Sequence, residues 1–317
     1  MTASVGKTLK QLRNTRDLRA EVVSLAAELV ENDAAGHLSV VDSAISPSTV
    51  RAEWDRLLRA LDPAIRSRMQ LSIEQSPAHP DLKEAIQIDR PNYRHEVLRL
   101  LLGASLTPDG TDSLQGLQAL IGASQTPIRE SIIELKQAGV VHASGRDLRV
   151  MPEEISQELL ARVGALPQTL RFRFERGARI KSPAELVERA TALLGQTTSH
   201  SDTWGSITLS GAAVAHAQAP NIDLMGIPRV DLVARVPRDA KHFDAGLLRQ
   251  LDDALEPEPS VLALTPVVVT LVRAETKLFP VPGVKGVRCS FPADVFLSLL
   301  DIGMREQALQ YMRAIRR

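Results

Sequence analysis

The sequence predicts an α+β protein of several domains, and three observations predict it. Amphipathic helical stripes fill much of the first 60 residues, and residues 112–150 read as helix, tight turn, helix and two-stranded hairpin. From about residue 168 strand-like and helical runs alternate. At 317 residues the chain has length for two or three domains, and 44% hydrophobic content suffices for ordinary buried cores.

Residues 17–33, DLRAEVVSLAAELVEND, place Leu18, Val22, Leu25, Ala26 and Leu29 on one stripe, which predicts an amphipathic helix. After Gly36, LSVVDSA suggests a short second helix. ISPSTVRAEWDRLLRAL suggests a third starting near Ser46 and Pro47, and RSRMQLSIEQ alternates as a strand does. This N-terminal unit, residues 1–80, is therefore expected to be helical. At an offset of 78 its Ser46, Ser48, Val50, Arg51 and Leu57 fall on Ser124, Thr126, Ile128, Arg129 and Leu135. Two readings stand side by side: a second, degenerate winged helix with Arg51 as a DNA contact, or a helical dimerisation arm. SPAHPDLKEAIQIDRP, with three prolines, predicts a linker near residues 77–90.

NYRHEVLRLLLG opens the central domain, residues 90–152, with Val97, Leu98, Leu101 and Leu102 inward; His95 reads as a surface residue. Asp112 or Ser113 can cap a helix with Leu114, Leu117, Leu120 and Ile121 on one face, ended by Gly122. Thr126 is the expected cap of the next helix, with Pro127 at its first turn. Ile128, Ile132, Leu135 and Ala138 form its inner face. Gln125, Arg129, Glu130, Ser131 and Lys136 carry the groups that meet base edges and phosphates when such a helix enters a major groove. VVHA and DLRV, flanking Ser144 and Gly145, predict a hairpin bearing His142, Arg146 and Arg149.

The stretch LIGASQTPIRESIIELKQAGVVHASGRDLRV resembles the winged helix-turn-helix of GntR-type bacterial regulators, over about a tenth of the chain. The resemblance implies that Ser124, Gln125, Thr126, Arg129 and Arg146 touch DNA, while Ile128, Ile132 and Leu135 are core.

The third part, residues 153–317, reads as a mixed α/β domain. PEEISQELLARVGAL suggests a helix, and LRFRFERGARIK a strand and turn whose Arg171, Arg173, Arg176, Arg179 and Lys181 outnumber one acid, Glu175. A strand of that charge could track phosphates through Arg171 and Arg173, or form a solvated face. Ser182-Pro183-Ala184-Glu185 is a capping box predicting a helix over 183–194. Thereafter come a strand and small-residue helix in WGSITLSGAAVAHAQ, a strand in RVDLVARVP and a helix in FDAGLLRQLDDALEP. VLALTPVVVTLVRA gives a strand pair or one strand broken at Pro266, and two final helices meet around Gly303. The order SGAAVAHA, PRVDLVARVP, FPADVFLSLLDIG resembles the C-terminal half of AbiEi-type antitoxins of bacterial type IV toxin–antitoxin pairs, over roughly residues 90–317. That resemblance implies a repressor of its own operon that also counteracts a nucleotidyltransferase-like toxin; the first 80 residues are additional to the pattern.

Formal net charge is +0, so any DNA-binding face must be a local patch balanced by acidity elsewhere. The single cysteine, Cys289, excludes an internal disulfide and reads as a buried small side chain. No apolar run approaches the ~20 residues that span a bilayer, and the N-terminus lacks a secretory core, so a cytoplasmic protein without membrane contact is expected. Gly205-Ser206, Asn221, Asp223 and Asp231 only faintly resemble a nucleotidyltransferase centre, with Asn221 where a metal-binding carboxylate is needed. No histidines pair at metal-ligand spacing. The expectation is a protein with no catalytic centre, metal or cofactor. It binds double-stranded operator DNA, with room for a homodimer on a palindrome. A metabolite-responsive winged-helix repressor is the alternative, and a nucleotidyltransferase the third reading.

Overall fold

A computed structural model describes residues 4–316 apart from 11, 13, 42, 44, 75–84, 107–111, 145–146, 197–202, 262 and 274–286. Helices and strands are mixed, as the α+β expectation requires. Cα packing groups the chain into two units: residues 1–85 with 173–181 and 244–256, and residues 86–172 with 182–243 and 257–317.

The first unit is built on three parallel strands, β1 (Ser4–Lys10), β2 (Ala35–Val41) and β3 (Met69–Glu74), in the order β1-β2-β3. Helix α1 (Thr15–Glu31) crosses from β1 to β2, and α2 (Pro47–Leu58) with α3 (Pro63–Arg66) crosses from β2 to β3. Parallel neighbours demand such crossovers. Asn14 caps α1 by accepting from the Arg16 and Asp17 N–H groups, and the buried face of α1 is the expected stripe, Leu18 to Leu29.

A helical unit is therefore not what forms here. LSVVDSA begins as strand β2: Leu38 and Val40 alternate inward against α1, and a period of two with β-branched residues wins over helix. The second winged helix is corrected with it. A recognition helix follows another helix across a tight turn, whereas α2 follows a strand and returns the chain to a parallel strand. Arg51 is an exposed residue of a crossover helix. The expected linker lies largely outside the described residues; within it β4 (Ala85–Gln87) forms a short strand that pairs with β10 (His242–Asp244).

The second unit begins with α4 (Tyr93–Leu106), α5 (Leu114–Ile121) and α6 (Gln125–Gln137), followed by the antiparallel hairpin β5 (Val141–Ser144) and β6 (Asp147–Val150). The helix expected over PEEISQELLARVGAL is split into a 3-10 turn, Pro152–Glu154, and α7 (Gln157–Arg162) capped by Ser156. A five-stranded sheet of order β11-β7-β12-β9-β8 comprises β7 (Gln168–Phe174), β8 (Ile207–Ser210), β9 (Val230–Arg235), β11 (Leu255–Glu258) and β12 (Val267–Val272). β12 pairs parallel with β9 and antiparallel with β7. Helix α8 (Pro183–Gln196) opens with the expected capping box: the Glu185 carboxylate accepts from the Ser182 N–H at 2.8 Å, and the Ser182 Oγ accepts from the Glu185 N–H at 3.2 Å. Helix α9 (Gly211–Gln218) follows β8, and α11 (Pro292–Asp301) and α12 (Arg305–Ile315) close the chain around Gly303 with Val295, Leu299, Leu300, Ala308 and Met312 buried. The helix expected in FDAGLLRQLDDALEP is reduced to a 3-10 turn and α10 (Leu248–Leu251). VLALTPVVVTLVRA forms neither a strand pair nor a broken strand: among its described residues only β12, which begins directly after Pro266, is strand.

Buried charge fastens α4 to α11 inside this unit. Arg99, fully buried, grips Asp294 through two parallel N–H···O bonds, one of them 2.7 Å, and lies 5.7 Å from the Phe291 ring centroid. A Cβ placed on Gly103 would overlap that same Phe291 ring, so the two helices touch where a side chain is missing. Glu96 accepts from the Arg273 N–H at 2.7 Å, and the Arg273 guanidinium donates to the carbonyls of Pro237, Ala240 and Asp89.

Candidate nucleic-acid interface

Three helices and a hairpin build the surface. Leu98, Leu101, Leu117, Ile121, Ile128, Leu135, Val141 and Leu148 are buried between them, so the exposed side of α6 is set by what its apolar face must do. Ser113 caps α5, accepting from the Gly116 N–H at 3.1 Å, and Gly122 ends it at φ 66°, the left-handed conformation that turns the chain sharply. The Gly122 carbonyl accepts from the Arg238 guanidinium, which ties the turn to the loop after β9. Only Gly122, Ala123 and Ser124 separate the helices.

α6 starts one residue before the expected cap. Ser124 takes the cap position without a side-chain hydrogen bond, Thr126 is already in the first turn, and Pro127 stands where its missing N–H costs nothing. Ser124, Gln125, Thr126, Arg129, Glu130 and Lys136 are all exposed. At ~100° per residue, Gln125, Lys136 and Arg129 fall within a stripe about 40° wide. With its amide oriented to face Arg129, the Gln125 Oε1 accepts from the Arg129 Nε at 2.9 Å. Glu130 points roughly 120° away from the centre of the stripe. Glu134 is engaged by Arg94, which holds its carboxyl below the usual range. The exposed basic stripe is thus not cancelled by the acids on the same helix.

Ser131 must be removed from the expected contacts. It is 5% exposed and donates to the Pro127 carbonyl at 2.8 Å, because it shares the Ile128, Ile132, Leu135 face. Ala138, expected inward, is half-buried. In the hairpin, Val141 pairs with Val150 and His142 with Arg149; Leu148 and Val150 turn inward, so Arg149 and His142 share the outer face. His142 lies 3.0 Å from Glu154. Arg146 lies outside the described residues.

Arg171 must also be removed. Its side chain is 9% exposed and ion-paired to Asp301 at 3.2 Å, with a further hydrogen bond to the Ala263 carbonyl. Arg171 shares a face of β7 with Arg173, but at its position the Asp301 carboxylate and the Ala263 carbonyl take its guanidinium out of solvent. Arg173, two residues on, is exposed and pairs with Glu256 at 3.0 Å.

Sequence reasoning missed a buried polar cluster behind this surface. His95, expected at the surface, is 2% exposed; burial, then the neighbouring Arg99 cation, pushes it down to about 4. Asp231 is buried in β9 beside Arg229, which also holds Asp301 at 2.7 Å. Burial pushes Asp231 up to about 6 against the pull of Arg229. The cavity between His95, Thr169, Arg229, Asp294, Ser298 and Asp301 has a volume of about 10 Å³, room for one water. Among the described residues no group of three or more His, Cys, Asp or Glu side chains could hold a metal ion, and no helix is long and apolar enough to cross a membrane. Cys289 is buried and unbridged.

Comparison with protein-family models, curated proteins and solved structures returns no match for this chain.

Proposed function

We propose that this protein is a sequence-specific repressor that reads double-stranded operator DNA with α6 and its hairpin. One observation carries the reading. Gln125, Arg129 and Lys136 form an exposed stripe on the second helix of a tight helix-turn-helix, followed by an antiparallel hairpin whose outer face bears Arg149. Ser124 and Thr126 at the helix start would meet phosphates, and Arg129 a base edge.

The resemblance of the domain order to AbiEi-type antitoxins supports a finer reading: a cytoplasmic autorepressor of a toxin–antitoxin operon that counteracts a nucleotidyltransferase-like toxin. A homodimer placing two heads on half-sites about 34 Å apart would suit a palindrome. The metabolite-responsive alternative finds no support in the cavity beside His95, which admits a water and no more.

The test is a mobility shift on DNA upstream of the chain's own reading frame. Arg129→Ala is expected to weaken binding by ~1 to 3 kcal/mol and to relax base preference at one position. Unchanged binding by a folded variant refutes the assignment. Coexpression with the adjacent reading frame tests the finer reading: growth arrest relieved by this protein supports it, and absence of any toxic neighbour removes it.

A further inference from the structure

The first unit carries a groove of about 730 Å³ that the reading above does not use. One wall is a single face of α2 that includes Ser48, Arg51 and Asp55 and is continued by the C-cap residue Arg59; Arg66 follows from α3, and Arg179, Lys181, Asp252 and Asp253 complete the lining. Five cations against three carboxylates leave a surplus of two. The distribution matters more than the total. Lys181 is paired with Asp252, and Asp253 accepts from the Ser48 hydroxyl and, at 3.3 Å, its N–H. Glu175 accepts from the Ser46 N–H at 2.9 Å and from the Thr49 hydroxyl, so the N-terminus of α2 is already answered by the chain's own carboxylates. Arg51, Arg59, Arg66 and Arg179 are exposed, and none of the four guanidinium groups has a hydrogen-bond or ion-pair partner among the described residues.

We infer that this groove binds the phosphodiester backbone of a nucleic acid, without reading its sequence. Four free planar forks along one concave surface match phosphate oxygens, which guanidinium groups bind in bidentate fashion. From Ser48 to Arg59, α2 extends roughly 16 Å, the rise of about five nucleotides of one strand, which suits a polyanion better than a single phosphate. Asp55, the one lining carboxylate with no side-chain partner among the described residues, keeps the site from being uniformly basic and sets it against acidic peptides of closely spaced carboxylates. The inference does not rest on α6. It would hold if the helix-turn-helix bound nothing.

The test uses the full chain carrying Arg129→Ala and Lys136→Ala, so that the recognition helix is disabled. Fluorescence anisotropy with random-sequence DNA of ~20 nucleotides, single-stranded and duplex, is read between about 50 and 200 mM salt. Residual binding is expected. Adding Arg51→Ala, Arg59→Ala and Arg179→Ala should lower the slope of log affinity against log salt by about 2 on single strands and about 2.7 on duplex if all three reach phosphates. These exposed, unpartnered side chains should leave thermal unfolding unchanged. An unchanged slope overturns the inference, as does the loss of all binding in the Arg129/Lys136 background. Saturable binding of ATP or of polyglutamate, abolished by the triple change while DNA binding is untouched, overturns it in favour of a small nucleotide or an acidic peptide. Failure of the recognition-helix reading looks different: operator preference survives Arg129→Ala while the groove changes still lower the salt slope.

Discussion

Truncating Asp294 to alanine should destabilise the reading head and the sheet behind it together. Arg99 has no exposed surface, and its two parallel bonds go to Asp294. Removing that carboxylate leaves a buried guanidinium ion whose other neighbouring acid, Glu96, is itself pushed towards its neutral form by burial. Breaking a buried pair from one side costs about 3–5 kcal/mol, a large part of the ~5–15 kcal/mol that holds a typical domain folded. Replacing both partners, as Arg99→Met with Asp294→Leu, should recover most of the loss, because no charge is then left stranded. Urea unfolding of the four proteins of this double-mutant cycle measures the coupling. A loss under about 1 kcal/mol for Asp294→Ala would refute the reasoning, and so would a double variant no better than the worse single one.

Gly103→Ala should cost about 1–3 kcal/mol by overpacking against Phe291, partly offset by up to ~1 kcal/mol of helix propensity, whereas Gly195→Ala in α8, with open space around it, should only gain; thermal melts separate the two. Neutral His95 contributes stability that is complete above pH 6.5 and lost as pH falls to about 4, because over that window the unfolded chain takes up a proton that the folded chain refuses. His95→Gln should therefore flatten the acid limb of a stability–pH curve by ~3 kcal/mol, and an unchanged limb refutes the burial argument. Asp231 acts with the opposite sign, its folded-state value being raised, so Asp231→Asn should remove a loss of stability that develops as pH rises from 3.8 to about 6. Ser131→Ala, unlike Arg129→Ala, should leave operator affinity within about twofold, since its hydroxyl faces the Pro127 carbonyl.

Much of the helical structure was legible because one-sided burial writes a period into the sequence. The α1 stripe, the Ser113 and Gly122 boundaries of α5 and the Ser182–Glu185 box all fall where local chemistry places them. Ser131 was legible too, but was read by polarity instead of position: spacings of three and four from Ile128 and Leu135 put it on the inner face. β1 was not legible, since SVGKTLK has only Val5 and Leu9 to mark an inward side, and a parallel edge strand is specified by its neighbour. Arg171 and His95 were missed for a related reason. Each is buried by residues far away in the chain, Asp301 in one case and the surroundings of Asp294 in the other, and no local pattern announces such a partner.

The grip of α4 on α11 has a practical consequence for grafting. A winged helix-turn-helix is often treated as a cassette that can be cut out and fused elsewhere. Here the cut would expose Arg99, Glu96 and the Phe291-facing notch at Gly103, and would release the Gly122 carbonyl from Arg238. Chimeras that exchange only residues 112–150 keep the α4 anchors in place. Those that transplant residues 90–152 as a block carry off one half of a salt bridge, and should come out of expression insoluble.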